Sequence, residues 1–558
     1  MAFIDRYCKT DFKSHEDFYD NFSVRFPEHF NFGYDVVDEL AALSPDKNAV
    51  VWCNDQGGEK FISFAELKRV SDKMANALRS LGISRGDAVM CILKGRYEYW
   101  CFTVAMHKLG AILMPATHML TTKDLVYRIK TADVKMIITA APEKICDYID
   151  EAQAQTGETV KVKASLTGGR PGYVNFNELT ENSSESFERP VPYNNNGDIM
   201  LAYFTSGTTG MPKIVAHDYT YPLCHMTTAK FWHGLDGTDL HLTHADTGWA
   251  KTSWGKIYGQ WICEAAVFVY DYEKFTPSDY LTLIDKYGIT SFCAPPTIYR
   301  FLIKEDFTAH SLKSLKKCTI AGEPMNPEIY HRWFAATGLK LREGYGQTEC
   351  TIMIATTPWM EPKPGAMGKP IPGSGCIVMD ENGAPGEIGD EGELCVPIPD
   401  INNRPLGLFM GYYRDDALTE SVLYNGIYHT GDIGWTDEDG YIWFKGRNDD
   451  IIKTSGYRVG PFEVESALQE HPAVLESAIT GVPDPDRGYN IKATVVLSKG
   501  YEPSDSLVKE LQDHVKKVTA PYKYPRIVEF VNELPKTISN KTRRVEIRER
   551  DMRKGESN

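Results

Sequence analysis

The chain is 558 residues long, 42% hydrophobic and 25% charged, a balance that suits a globular protein with more than one core. Its formal net charge of −15 argues against nucleic acid or an anionic membrane surface as the principal partner, so an anionic ligand must be held by local basic residues. The 12 cysteines are scattered without a Cys-x2-Cys pair, which argues against a disulfide frame or a zinc site.

In chain order, Met1 to Tyr7 leads into Asp11, Glu16, Asp17 and Asp20, with neither the apolar run of a secretory signal nor a basic, acid-poor transit character. No run is long enough to span a bilayer, and a cytoplasmic protein is expected. Ser63 and Glu66 form a capping-box pattern, and Leu67, Val70, Met74, Leu78 and Leu81 follow at helical spacing until Gly82. Residues 88–93 read as a buried strand, 99–109 as a helix stopped by Gly110, and 111–114 as another strand; after Thr122 and Asp124 the pattern repeats to Ile138. Such alternation predicts parallel sheets covered by helices.

Residues 165–197, rich in Gly, Asn, Ser, Glu and Pro, read as a loop-rich connection. The apolar run 199–204 then enters Thr205-Ser206-Gly207-Thr208-Thr209-Gly210-Met211-Pro212-Lys213. Glycines let several backbone N–H groups face one phosphate, while the hydroxyls and the lysine add donors and charge, so this is a phosphate-gripping loop at a strand end. It is not Gly-x4-Gly-Lys-Ser/Thr, because Met211 and Pro212 separate Gly210 from Lys213. His217, His225, His233, His241 and His244 follow without metal-ligand spacing and read as structural or surface residues.

Alternation resumes at 265–270, 289–294 and 318–320, and from 365 to 400 Gly and Pro break short apolar runs into a small antiparallel or barrel-like subdomain. A separate small domain begins after Asp450, with a helix at 462–468 and strands at 473–479, 491–497 and 527–531.

Further polar stretches lie at strand ends: Ala321-Gly322-Glu323-Pro324, Glu343-Gly344-Tyr345-Gly346-Gln347-Thr348-Glu349, Gly431-Asp432 with Arg447, and Pro535-Lys536-Thr537-Ile538-Ser539-Asn540-Lys541. Together and in this order they resemble the adenylate-forming superfamily of acyl-CoA synthetases, luciferases and peptide-synthetase adenylation domains. Asp246-Thr247-Gly248-Trp249, Ser455-Gly456-Tyr457-Arg458-Val459-Gly460-Pro461 and Pro521-Tyr522-Lys523-Tyr524-Pro525 are most similar to medium-chain acyl-CoA synthetases.

The resemblance implies an α/β fold: a large N-terminal domain, 1–448, of two parallel-type α/β subdomains plus a small β-barrel-like subdomain, then a small mobile α+β domain, 449–558, hinged near Asp449. It implies a two-step reaction in which a small-molecule carboxylic acid attacks the α-phosphorus of ATP, and the thiol of coenzyme A then displaces AMP. In that reading the loop with Thr205, Ser206, Gly207, Thr208, Thr209, Gly210 and Lys213 holds the β- and γ-phosphates. Thr348 touches the α-phosphate and Glu349 binds Mg²⁺, an ion that prefers oxygen ligands. Gly322, Glu323, Pro324 and Tyr345 line the adenine, with Glu343 in the same nucleotide set. Asp432, beside Arg447, accepts from the ribose hydroxyls, and Lys541 bridges carboxylate and α-phosphate. For the second step Gly456, Tyr457 and Arg458 face the pantetheine and phosphate of coenzyme A, with Lys516 or Lys517 at its 3′-phosphate. Asn540 stands where the family commonly has glycine before the lysine; asparagine tolerates left-handed backbone.

Acetate-specific relatives have tryptophan at the position of Gly346, so an open pocket walled by Trp249 and Trp254 is expected, favouring medium-chain, branched or aromatic acids. Two other readings remain at this level: an adenylating enzyme with a different acceptor, and a silent nucleotide sensor.

Overall fold

The computed structural model describes residues 2–556 other than 142, 158, 206–211, 381, 400–403 and 538–540. Ser63 starts the first long helix, Phe64–Ser80, by accepting the Glu66 N–H at 3.2 Å. Phe64, Leu67, Met74 and Leu78 are buried along one face, as their spacing requires. Only this half of the capping box forms, because the Glu66 carboxylate pairs with Lys60 at 2.9 Å. The second predicted helix is Glu98–Leu109, buried along its whole length and ended by Gly110 at φ 88°. A helix buried all round belongs between two layers. The core around it draws Val89, Cys91 and Leu113 from one sheet and Val50, Val267 and Ala355 from another.

The first sheet has eight strands: Gly411–Tyr412, Lys213–Asp218, Ile199–Thr205, Ile112–Pro115, Ala88–Ile92, Met136–Thr139, Val162–Ser165 and Val174–Asn175, in spatial order. Its interior pairs are parallel, as the helix–strand alternation predicts, and the phosphate-loop strand lies beside Lys213–Asp218 in antiparallel register. The second sheet has a parallel centre of Leu341–Gly346, Lys317–Ala321, Ser291–Ala294, Leu240–Thr243, Ala266–Asp271 and Asn48–Asn54. The strand Asn48–Asn54 comes from far upstream and pairs with Ala266–Asp271, so the two α/β layers are not consecutive in sequence.

The 365–400 region is antiparallel, one of its two expected forms, and two details differ from expectation. The 365–400 region forms no closed barrel among the described residues. Leu341–Gly346 pairs antiparallel with Ile352–Ala355, and the sheet continues through Ala366–Pro370, Ile442–Arg447, Ile427–Thr436 and Glu391–Pro397 to Ile377–Met379, whose outer side is met by an isolated bridge from Met379 to Pro385. Register shifts at Tyr345/Gly346, Ala366/Gly368 and Ile433/Gly434 let the ribbon twist without closing on itself. The connection 165–197 also holds a strand, Val174–Asn175, and a helix, Phe176–Glu181, which Asn175 caps by accepting the Glu178 N–H at 3.3 Å. Phe176, fully buried against Phe102, supplies an anchor that the polar composition conceals.

The C-terminal part has its own core, with Val464, Leu468, Ile479, Ala493, Leu511 and Val515. Strand Val474–Asp484 pairs antiparallel with Gly488–Leu497, which pairs in parallel with Ile527–Phe530, under helices Pro461–Gln469 and Asp505–Val518. Arg300 to Gln469 (3.1 Å) and Asn326 to the Ser466 carbonyl (3.2 Å) join it to the body of the protein.

Candidate active site

The predicted strand-end motifs converge at the junction of the two sheets. Asp432, 5% exposed on strand Ile427–Thr436, is the hub. Its Oδ2 accepts from the Tyr345 hydroxyl at 2.5 Å and from Gln347 Nε2 at 2.6 Å, and its Oδ1 faces Arg447 Nη1 at 3.3 Å. Burial pushes this carboxyl above its ordinary pKa, while Arg447 and the two hydrogen bonds pull it back. A carboxylate offers about four acceptor sites. Three are used, by Tyr345, Gln347 and Arg447, which leaves one acceptor position.

Lys541 lies near enough to lower the Asp432 carboxyl and to oppose the protonation of Lys251. Its backbone is held by Thr537, whose Oγ1 accepts the Lys541 N–H at 3.0 Å and whose N–H donates to the Lys541 carbonyl at 2.7 Å. Asp449 lies 3.6 Å from Arg447, so the predicted hinge adjoins the Asp432–Arg447 pair. Immediately after it, Asp450 is tied to Arg544 and Arg548 of the last helix.

Glu349 Oε1 accepts from the Tyr412 hydroxyl at 2.9 Å, and the same Tyr412 ring carries the Lys213 ammonium 5.0 Å from its centroid. One aromatic residue thus links the phosphate-loop lysine to the predicted magnesium ligand. His217, on the strand that leaves the phosphate loop, donates Nε2–H to the Thr348 carbonyl at 2.8 Å and stacks on Tyr221 at 3.9 Å. Burial lowers its pKa to about 3, so the imidazole is neutral. Thr205 ends its strand, whereas Ser206, Gly207, Thr208, Thr209 and Gly210 lie outside the described residues, as does Asn540.

Gly322 has φ 106°, which explains a glycine where the chain turns off its strand. Glu323 accepts from Thr297 Oγ1 at 2.8 Å, and Pro324 is half-buried beside it. Glu343 is placed beneath this turn: it is 4% exposed and accepts the Met325 N–H at 3.3 Å. Burial raises its pKa well above the usual carboxylate value. Its geometry supports the 322–325 turn from below.

The acyl side differs from the expectation of open space beside Gly346. A Cβ there would lie 2.6 Å from the tip of the Trp254 indole and 2.2 Å from the Thr351 carbonyl oxygen. The missing side chain is therefore replaced by Trp254, 7% exposed on helix Lys251–Gly255. The same helix carries Lys251, whose Nζ donates to the Ala321 carbonyl at 2.8 Å and whose pKa burial lowers. Trp249 precedes this helix, after the Asp246 carboxylate has accepted the Gly248 N–H at 2.7 Å.

Gly456, Tyr457 and Arg458 form a different group. Ser455 and Gly456 turn the hairpin Ile452–Thr454 to Tyr457–Val459 with φ 49° and 83°, as a two-residue turn with left-handed central residues requires. Tyr457 and Arg458 are exposed, and Tyr457 stacks on Tyr522 at 4.0 Å. Lys516 lies over Tyr524 at 4.3 Å and pairs with Asp513 at 2.9 Å, and Lys517 is exposed at the end of the same helix.

Sequence reasoning missed Lys251, Gln347, His217 and Tyr412 as site residues. Gln347 and Lys251 sit within or beside motifs already singled out. His217 and Tyr412 carry no local signal, because strand pairing brings Tyr412 opposite Val215. Of the other noted histidines, His225, His233 and His241 are buried and His244 is half-buried; His233 meets Thr319, His241 meets Ser291 and Thr243, and His244 meets Tyr280, each at 2.8 Å.

The family model described as AMP-binding enzyme matches residues 37–413, and that described as AMP-binding enzyme C-terminal domain matches 463–541. Human "Acyl-coenzyme A synthetase ACSM3, mitochondrial" is 42% identical over 553 residues, covering 97% of this chain and 93% of that protein. Rattus norvegicus "Acyl-coenzyme A synthetase ACSM4, mitochondrial" is 41% identical, with 94% and 91% covered. Among solved structures, the anthranilate CoA ligase AuaEII in complex with anthranoyl-AMP has TM-score 0.85 and 27% identity, covering 94% of this chain and 98% of that one. The Brucella canis acyl-CoA synthetase has TM-score 0.71 and 30% identity, with 94% and 95% covered.

These relatives overturn the cytoplasmic expectation, since the curated ones are named mitochondrial. Unpaired cysteines separate oxidising from reducing compartments and do not tell one reducing compartment from another. No helix among the described residues is long and apolar enough to cross a membrane. With two family models spanning most of its length and relatives above 40% identity, the chain belongs to the AMP-binding enzyme family and is an AMP-forming acyl-coenzyme A synthetase, an acid–thiol ligase.

Proposed function

We propose that this ligase activates a medium-chain, branched or aromatic carboxylic acid with ATP and Mg²⁺, and then passes the acyl group to coenzyme A. The observation that supports the acid class is the apolar indole of Trp254 beside Gly346, a wall that an aliphatic or aromatic acyl group can pack against; because it fills part of the space beside the glycine, it bounds the length of the acid. The similarity to an enzyme titled anthranilate CoA ligase supports the same class.

In this reading Thr205, Lys213 and the loop between them hold the β- and γ-phosphates, and the Thr348 hydroxyl meets the α-phosphate. Gly322, Glu323 and Pro324 edge the adenine, Tyr345 offers it a ring, and Asp432 with Arg447 takes the ribose. The carboxylate of Glu349 fits Mg²⁺ because it is an oxygen donor with one oxygen, Oε2, not engaged by Tyr412. The ion would neutralise phosphate charge there. Lys541 places an ammonium where the carboxylate and the α-phosphate meet, so its effect is greatest as charge develops in the first step.

For the second step the domain beginning at Asp449 turns about that residue, withdraws Lys541 and brings Gly456, Tyr457 and Arg458 toward the acyl-adenylate, with Lys516 and Lys517 at the coenzyme A phosphates. The mitochondrial relatives support a mitochondrial setting for this chemistry, which subcellular fractionation checks.

The test is AMP release from ATP and Mg²⁺ across straight-chain, branched and aromatic acids, each with and without coenzyme A. Turnover that requires coenzyme A and peaks above acetate is expected. A maximum at acetate refutes the acid class, and coenzyme A-independent turnover refutes the acceptor.

A further inference from the structure

Away from the nucleotide motifs, strands Glu391–Pro397 and Ile427–Thr436 bring a carboxylate, a thiol and an imidazole together. Cys395 and His429 are direct cross-strand partners, and a register shift between Glu393 and Cys395 bends the carboxylate toward them. His429 Nδ1 is 2.9 Å from Glu393 Oε2 and 3.7 Å from Cys395 Sγ, and one ligand atom from each residue lies within 4.8 Å of the other two. A tetrahedral zinc site built from Zn–S of about 2.3 Å and Zn–N or Zn–O of about 2.0–2.1 Å separates neighbouring ligand atoms by roughly 3.5 Å. The sulfur–nitrogen distance already matches, and the nitrogen–oxygen distance needs an opening of a few tenths of an ångström.

The surroundings suit a cation as well. The side chains of His429 and Glu393 are 10% and 23% exposed, and Cys395 is fully buried, so the thiol is screened while the carboxylate leaves an entry path. The ring of Tyr424 lies flat on His429 at 3.8 Å and fixes the imidazole plane. Glu393 Oε1 separately accepts the Gly431 N–H at 2.8 Å, leaving Oε2 as the inward oxygen. His429 Nε2 has no protein partner among the described residues and is free to take the ring proton when Nδ1 becomes a ligand.

We propose that Glu393 Oε2, Cys395 Sγ and His429 Nδ1 form a binding site for a zinc-class divalent cation that staples these two strands together. Binding replaces the thiol proton: the metal ion forms bonds to sulfur, nitrogen and oxygen and takes a solvent water as its fourth ligand, the S–H bond breaks, and one proton leaves to solvent. Thiolate and carboxylate then balance the dication. A sulfur and an imidazole select zinc or cobalt over magnesium, so the Mg²⁺ supplied with ATP does not occupy the site. The staple lies one residue from Asp432 through Gly431, but the proposal stands on ligand geometry alone and is independent of the nucleotide roles.

The test uses the full-length protein, stripped with a chelator, dialysed and titrated with cobalt(II) chloride. One equivalent is expected to produce tetrahedral cobalt bands with a thiolate charge-transfer band, to release about one proton, and to raise the melting temperature. Zinc chloride displaces the bands and millimolar magnesium chloride does not. Cys395→Ala abolishes the thiolate band. His429→Phe, which keeps a ring against Tyr424, weakens binding at least about tenfold, more than the loss of an outer-shell partner costs at the low end. Circular dichroism establishes that each variant is folded. A wild-type protein without the thiolate band, a band that survives in Cys395→Ala, or displacement by magnesium overturns the site.

Discussion

Replacing Trp254 by alanine tests whether this residue sets the acyl pocket. A Cβ on Gly346 would be only 2.6 Å from the Trp254 ring, so the indole tip is in contact with the glycine, and in the proposed reading it takes up space beside the acyl chain. An aromatic side chain buries roughly 150–250 Å². At about 25 cal/mol per Å² that surface is worth ~4–6 kcal/mol to whatever refills it. A methylene contributes about 0.8 kcal/mol, or roughly a fourfold gain in kcat/KM. Trp254→Ala should therefore shift the preferred acid upward by several methylenes, at about fourfold per carbon until the cavity is full, while acids that contacted the indole lose. The assay is kcat/KM for a series of straight-chain acids, with thermal unfolding in parallel because truncating a buried tryptophan costs about 3–5 kcal/mol. Trp254→Leu is a milder companion. A folded variant with an unchanged chain-length profile would refute the reasoning. The converse substitution, Gly346→Ala, meets the Thr351 carbonyl at 2.2 Å and should damage folding or activity whatever the acid.

Tyr412→Phe keeps the ring beneath Lys213 and removes the hydroxyl from Glu349; the Mg²⁺ concentration for half-maximal adenylation should rise several-fold with little change in the KM for acid. An unchanged Mg²⁺ requirement would remove Tyr412 from the metal group. His217→Phe preserves stacking on Tyr221 but orphans the Thr348 carbonyl, a loss of about 1–3 kcal/mol for a buried acceptor. Single-turnover adenylation should slow by about tenfold or more, with no new inflection between pH 6 and 8 because this imidazole is neutral there. Asp271 has its pKa raised to about 6, first by burial and then by Glu273 and Asp55, against Lys94 and Arg96. The native state holds its proton between the unfolded value and about 6, so ionisation costs stability as pH rises through that window, and the full cost is present above it. Asp271→Asn should stabilise the protein at pH 8 by about 1 kcal/mol, after discounting for solvent screening, and by less at pH 4.5. Chemical denaturation at the two pH values checks the sign; equal effects would exclude this carboxyl as the cause.

Much of the fold is legible because its elements are local. The spacing from Leu67 to Leu78 dictates a one-faced helix, and the run 199–204 dictates a buried strand. The motif order likewise picks out Tyr345 and Arg447, which meet Asp432, although Asp432 itself lies within an antiparallel strand and not at the end of a parallel one. Composition misleads where one large anchor outweighs its polar neighbours, as with Phe176, and where glycine-broken strands extend an existing sheet instead of closing a barrel. What the chain alone could not reveal depends on residues meeting from distant segments. Tyr412 reaches Glu349 and Lys213 through an edge-strand pairing, and His217 reaches Thr348 through the contact of two layers. Gly346 looks like open space in one dimension and is filled by Trp254 in three. Local periodicity determines which elements form, because it records the face each must bury; packing alone decides which side chains share a cavity.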